Sequence, residues 1–144
     1  MFPWPVRGVV LPADVRRDVD RHVTDEYPKE AGGFLACERR GRRLRATRHV
    51  PVLNGADTPE RRFETVVDDR VPPPPRVFYH SHTRADSPSG LTTVDERSIP
   101  EPFALVVFAP QSAPLSYRAF KRGLLHWQEL PVEDVAERTR LARL

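Results

Sequence analysis

One cysteine, Cys37, stands alone among 144 residues, so no internal disulfide can form. Nowhere does the chain hold the roughly 18 consecutive apolar residues that a membrane-crossing helix needs. The opening Met1-Phe2-Pro3-Trp4-Pro5 also lacks the basic-then-apolar order of a secretory signal. These absences predict a reducing, cytoplasmic setting with no membrane partner. No internal repeat is present, and neither charge sign dominates: 20 acidic residues face 23 basic ones, for a net charge of +3. Nearly all of the positive charge is arginine, and Arg39, Arg40, Arg42, Arg43, Arg45 and Arg48 cluster in one stretch. That stretch is the only candidate nucleic-acid footprint. It spans a predicted turn at Gly41, where solvated side chains belong in any case, so nucleic acid is not the expected partner.

The length predicts one domain over residues 1–144, with a core over about 6–122 and a C-terminal extension over 123–144. A short strand is expected over Val6 to Leu11, then Pro12 at the first turn of a helix. Val15, Val19, Val23 and Tyr27 recur every four residues and give that helix, about Ala13 to Glu26, one apolar stripe; Pro28 ends it. Gly32 to Glu38 and Leu44 to Val52 read as strands around the Gly41 turn. Asn54 to Glu60 reads as loop, Phe63 to Val67 as a short strand, and the four prolines of Val71 to Pro75 as an extended spacer. Strands follow over Arg76 to Ser81, Phe103 to Phe108 and Leu115 to Phe120. A polar loop covers Thr83 to Leu91, a helix starts at Thr92 or Thr93, and helix formers after Pro131 predict a C-terminal helix to Leu144. Without regular βαβ alternation the class is α+β or mixed α/β.

The most informative run is Val77-Phe78-Tyr79-His80-Ser81-His82. Two histidines two residues apart on a strand project from the same face, so two imidazoles can converge on one point. Neutral imidazole is the commonest side-chain metal ligand, and zinc is the metal it most often serves. A catalytic zinc takes three protein ligands and leaves the fourth position to water.

Downstream, Thr92-Thr93-Val94-Asp95-Glu96 opens a helix, a rigid place from which to aim the Asp95 carboxylate. Thr92 with Asp95, and Thr93 with Glu96, also have capping-box spacing; capping and ligation do not exclude each other. Upstream, Glu30 lies between a helix end and an apolar run that begins Gly32-Gly33, a pair that permits close backbone approach. A buried glutamate beside a metal centre can take and return a proton; a surface acid just past a helix end is the plainer reading. Cys37 reads as a buried small side chain. Tyr79 reads as packing on the opposite strand face, Ser81 as a supporting group on that face, and His22 and His49 as structural or surface residues.

Pro-x-Glu-x-x-Gly, then Tyr-His-Ser-His, then Thr-x-x-Asp resembles the JAMM (MPN+) metalloproteases. The similarity extends from about Val9 to Phe120 and includes the segment from Asn54 to Arg62-Phe63-Glu64. The resemblance implies a single JAMM-like, cytidine-deaminase-like domain: a central, mostly antiparallel mixed sheet flanked by helices. It implies one Zn²⁺ per chain held by His80, His82 and Asp95, with Glu30 as general acid/base and Thr92 in the place of a serine that stabilises the oxyanion. It further implies peptidase or isopeptidase activity on the C-terminal tail of a ubiquitin-like or sulfur-carrier protein, or on a peptide. The stretch between His82 and Thr92 is about two residues longer than the family pattern, and Ser89 is the alternative hydroxyl. Two rival readings are a non-catalytic MPN-type binding module and a metallohydrolase of a small amide.

Overall fold

The computed structural model describes residues 5–66, 68–111 and 114–136. Along the chain these form β1 (Gly8–Pro12), α1 (Ala13–Glu26), β2 (Gly32–Arg40), β3 (Arg43–Val52), β4 (Arg76–His82), α2 (Thr93–Ser98), β5 (Phe103–Phe108), β6 (Ser116–Arg122), β7 (Trp127–Leu130) and β8 (Val132–Val135). The strands join in one mixed sheet of order β7-β6-β5-β4-β2-β3-β1-β8. Antiparallel pairing links β2 to β3 and β4, and β6 to β5 and β7; parallel pairing links β1 to β3 and β8, and β4 to β5.

Helix α1 has the bounds that its apolar stripe predicts, and Val15, Val19 and Val23 are buried. Burying each contributes about 1.5–3 kcal/mol. Pro12 ends β1 in extended backbone and stands just before the first helical turn. The β2–β3 hairpin turns at Gly41, whose φ of +61° is a conformation that glycine adopts without steric cost. Parallel β4 and β5 require a long crossover, and residues 83–102 supply it with α2 inside.

The sheet separates two apolar clusters. One face carries Val9, Leu11, Leu35, Leu44, Val77, Tyr79, Leu105 and Val107 under α1. The other carries Phe34, Val50, Val52, Phe78, Ile99 and Ala104, with Phe63, Val71, Leu91 and Trp127 packed against them. The sheet also curls, so that Lys121 on β6 donates to the Val6 carbonyl beside β1, at 3.0 Å.

Three expectations change. The helix expected over Pro131 to Leu144 is instead strand at Val132–Val135, paired in parallel with Val9–Pro12; residues 137–144 lie outside the described residues. The stretch beyond residue 122 therefore extends both sheet edges, and Leu130 is buried. Of the strand expected over Phe63 to Val67, residues 63–66 make only the isolated Asn54–Thr65 bridge, and Val67 lies outside the described residues. "Flanked by helices" overstates the helical layer, because α1 covers one face while α2 has six residues and buries none. What stands is a mixed α/β domain around one large sheet.

Candidate metal centre

Strand β4 is interior, bonded to β2 on one side and β5 on the other. Its alternation sends Val77 and Tyr79 toward α1 and Phe78, His80 and His82 toward the second face. The Phe78 ring stacks on His80, centroids 5.7 Å apart. His80 Nε2 and His82 Nε2 face each other at 3.1 Å. Asp95 closes the group, with Oδ1 3.3 Å from His80 Nε2 and Oδ2 3.2 Å from His82 Nε2.

These distances have a physical meaning. Ligand atoms about 2.0–2.1 Å from a tetrahedral ion sit about 3.3–3.4 Å from one another. The two ring nitrogens stand 3.1 Å apart, and each has one Asp95 oxygen at 3.2–3.3 Å, close to the edge length of such a coordination sphere. His82 Nδ1 donates to the Pro88 carbonyl at 2.8 Å; a carbonyl only accepts, so a neutral His82 keeps its Nε2 lone pair for the centre. His80 Nδ1 is buried with no partner. Among the described residues, His80, His82 and Asp95 form the group able to hold a metal ion.

Asp95 does two jobs. The Thr92 hydroxyl accepts from the Asp95 N–H at 3.0 Å, and Asp95 Oδ2 accepts from the Thr92 N–H at 2.9 Å. The capping box and the candidate ligand group therefore share one carboxylate. Burial alone would raise the Asp95 pKa; hydrogen bonds from His80 and His82, their charges and the Thr92 N–H together hold it well below the usual carboxylate range. In His82, burial is likewise outweighed, by Asp95, the Pro88 carbonyl and Glu30, and the pKa is raised.

Glu30 reaches the same cleft from the segment between α1 and β2. Its N–H donates to the Pro59 carbonyl at 2.7 Å, and its carbonyl accepts from Asn54 Nδ2 at 2.9 Å. Next door, Ala31 and Ser81 exchange two bonds: Ala31 N–H to Ser81 Oγ and Ser81 N–H to the Ala31 carbonyl, both 2.8 Å. Ser81 thereby fixes Glu30 against the strand that carries both histidines. Burial pushes the Glu30 carboxyl up to about 7; the charge of His82 lowers it and that of Asp95 raises it. The two glycines that follow meet close neighbours: a Cβ on Gly32 would lie 2.5 Å from the Phe63 ring, and one on Gly33 2.3 Å from the Val50 carbonyl oxygen.

Glu30, His80, His82, Thr92 and Asp95 line one cleft of about 1020 Å³, walled by Phe34, Phe63, Phe78 and Ile99 and bounded by Arg61, Arg76 and Glu101. Arg76 and Glu101 form a two-pronged ion pair, at 2.9 and 3.0 Å. Ser89 receives a bond from Arg118 at 3.1 Å and is not among the lining residues; Thr92 is.

Sequence reasoning missed two features here. Asn54, read as a turn residue and as the start of the segment that shares the resemblance, is a hub: its Nδ2 donates to the carbonyls of Glu30, Pro59 and Arg62, and its Oδ1 accepts from the N–H groups of Ala56 and Glu64. Behind the centre, the buried Tyr79 hydroxyl sits 2.6 Å from both His22 Nδ1 and His49 Nε2. Burial, then the charge of His22, lowers the His49 pKa to about 4. Asn-Gly spacing hinted at neither hub nor partners; the His22–Tyr79–His49 contact joins residues 57 and 30 positions apart.

No family model and no curated protein matches the sequence. Among solved structures, the chain is similar to a protein from Desulfitobacterium hafniense, with a TM-score of 0.67 at 17% identity over 90% of this chain and 94% of that one. It is also similar to a protein from Salinibacter ruber, with a TM-score of 0.59 at 19% identity over 87% and 90%. At such identities the likeness establishes the fold and nothing about activity. No helix among the described residues is long and apolar enough to cross a membrane.

Proposed function

We propose that this chain is a JAMM-type zinc hydrolase. It binds one Zn²⁺ at His80, His82 and Asp95 and cleaves an amide at or near the C-terminal tail of a ubiquitin-like or sulfur-carrier protein, in the cytoplasm. The observation that carries the reading is the convergence of two imidazole nitrogens and one carboxylate within 3.3 Å, in a cleft that a buried glutamate also lines. When bound, the metal supplies Lewis-acid polarisation of an oxygen and acidifies water.

The remaining chemistry belongs to the side chains. Glu30, with a pKa of about 7, both accepts and releases a proton near neutral pH. Its carboxylate takes the proton of the attacking water and returns it to the leaving nitrogen. The Thr92 oxygen accepts from the Asp95 N–H, which leaves its hydroxyl proton to donate to an oxyanion. Phe34, Phe63, Phe78 and Ile99 shield the cleft wall from water. A cleft of about 1020 Å³ is larger than a small amide fills and suits an extended tail. The complete ligand set speaks against a non-catalytic module.

The test is metal content with cleavage of a tail-bearing substrate. Wild-type protein should carry about one zinc per chain. Glu30→Gln should keep the zinc and lose about 10²–10⁴-fold in activity. Equal cleavage by both proteins would sink the assignment.

A further inference from the structure

The ligand His82 is oriented by a loop that has little packing of its own. Between Thr83 and Gly90 the internal bonds are local: Arg84 pairs with Asp86, and the Ser87 N–H donates to the Arg84 carbonyl. At the near end the Thr83 hydroxyl donates to the Pro28 carbonyl at 2.8 Å. At the far end lies Pro88, whose carbonyl receives His82 Nδ1–H. A loose carbonyl would let the ring turn and the tautomer change.

The far end is held from strand β6. Arg118 Nη1 donates to Ser89 Oγ at 3.1 Å, one residue past Pro88. The guanidinium is itself fixed from two sides. Glu129 on β7 accepts from its Nε at 2.9 Å and its Nη2 at 2.6 Å, and its carbon lies 5.4 Å from the centre of the Phe120 ring. Gly90 is seated directly on this group: a Cβ there would come within 2.8 Å of Arg118 Nη1 and 3.0 Å of Phe120. A planar fork with three engaged nitrogens fixes direction in a way that a lysine ammonium does not.

We propose that Arg118 is a positioning residue for the metal centre: through Ser89 it fixes the Pro88 carbonyl that sets the ring and tautomer of His82. The chain of contacts runs Glu129, Arg118, Ser89, Pro88, His82, and it begins on strands that contribute no ligand. This inference rests on the reading of His80, His82 and Asp95 as metal ligands.

Cobalt(II) titration of the full chain tests it, read by visible absorption and by competition with a chelator, on wild type, Arg118→Met, Ser89→Ala and Ser89→Thr. Arg118→Met and Ser89→Ala should each weaken cobalt binding about tenfold, at the lower end of outer-partner losses. Ser89→Thr, which keeps the hydroxyl, should restore it. Affinities within about twofold of wild type in both Arg118→Met and Ser89→Ala, against that tenfold expectation, would overturn the proposal and leave the metal reading intact. Wild type that binds no cobalt would overturn both. Should Arg118→Met fail to fold, the Ser89 pair decides alone, because Ser89 lies on a loop and belongs to neither apolar cluster.

Discussion

The two halves of the candidate ligand set are built on different foundations. His80 and His82 stand on an interior strand with hydrogen-bonded neighbours on both sides, and each side chain is 4% exposed. Asp95 stands on a six-residue helix with no buried residue, and its side chain is 17% exposed. A helix that short is marginal in water. It is held by its capping box, by Ile99 packed just beyond its end, and by Trp127, whose Nε1–H donates to the Glu96 carbonyl at 3.1 Å. The strand half is fixed by the global fold. The helix half is fixed by local caps, and by the metal when one is bound.

The comparison can be broken first at the strand. Leu105 on β5 is fully buried beside β4, so Leu105→Ala should cost about 2–5 kcal/mol in denaturant unfolding. Metal stoichiometry in the folded fraction should not change. A cost below about 1 kcal/mol would contradict the strand half's dependence on the core.

Removing metal sharpens the other side. At free metal a hundred times Kd, binding stabilises the native state by about 2.7 kcal/mol. On chelation the amides of Glu96 in α2 and of Ile99 at its C-terminal cap, which donate to the Thr92 and Asp95 carbonyls, should fall to nearly unprotected hydrogen exchange. The β4 amides should remain among the slowest in the chain. Equal protection of the two elements without metal would erase the distinction.

Thr92→Ala, which deletes the cap acceptor, should cost about 1 kcal/mol and act on α2 first; Thr92→Ser should cost a few tenths at most. Amide exchange on α2, compared with thermal melting of the whole protein, separates the two.

The smallest effect is a cancellation visible against pH in metal-free protein. Glu30 has a folded pKa of about 7, above its ordinary 4.5. Its stabilising contribution is present below pH 4.5 and is lost as pH rises through 7. His49 has a folded pKa of about 4, below its ordinary 6.5. Its contribution is present above pH 6.5 and is lost as pH falls through 4. The slopes oppose each other in wild type. Relative to wild type, Glu30→Gln should shift the slope of stability against pH upward across this window, and His49→Asn should shift it downward. Identical slopes in all three proteins would refute both assignments.

Much of this was legible wherever local pattern and tertiary context agreed. The Val15-Val19-Val23 stripe forms α1 with the predicted bounds, and His-x-His at the end of an apolar run became a converged pair. Asp95 both closes the predicted capping box and lies beside the two histidines. Legibility failed where context overrode propensity. Val132–Val135 sits among helix formers, yet it is a strand because β1 offers an open edge. Phe63 has strand character, yet its ring fills the space that Gly32 leaves rather than joining a ladder. Contacts such as His22–Tyr79–His49 and Arg118–Ser89 depend on register between distant segments, which no local pattern encodes.

Asn54 carries one more consequence, in the chemistry of ageing. It precedes Gly55, and an Asn-Gly pair loses ammonia when the glycine nitrogen attacks the side-chain amide. Here that nitrogen is engaged with the Glu64 carbonyl at 2.9 Å, and the amide is held by five hydrogen bonds. The folded loop thus restrains both reactants, and deamidation requires it to open. The aspartate so formed would turn an oxygen toward the carbonyls of Glu30, Pro59 and Arg62 where a donor had been, a lasting mark of each excursion on the segment that holds Glu30.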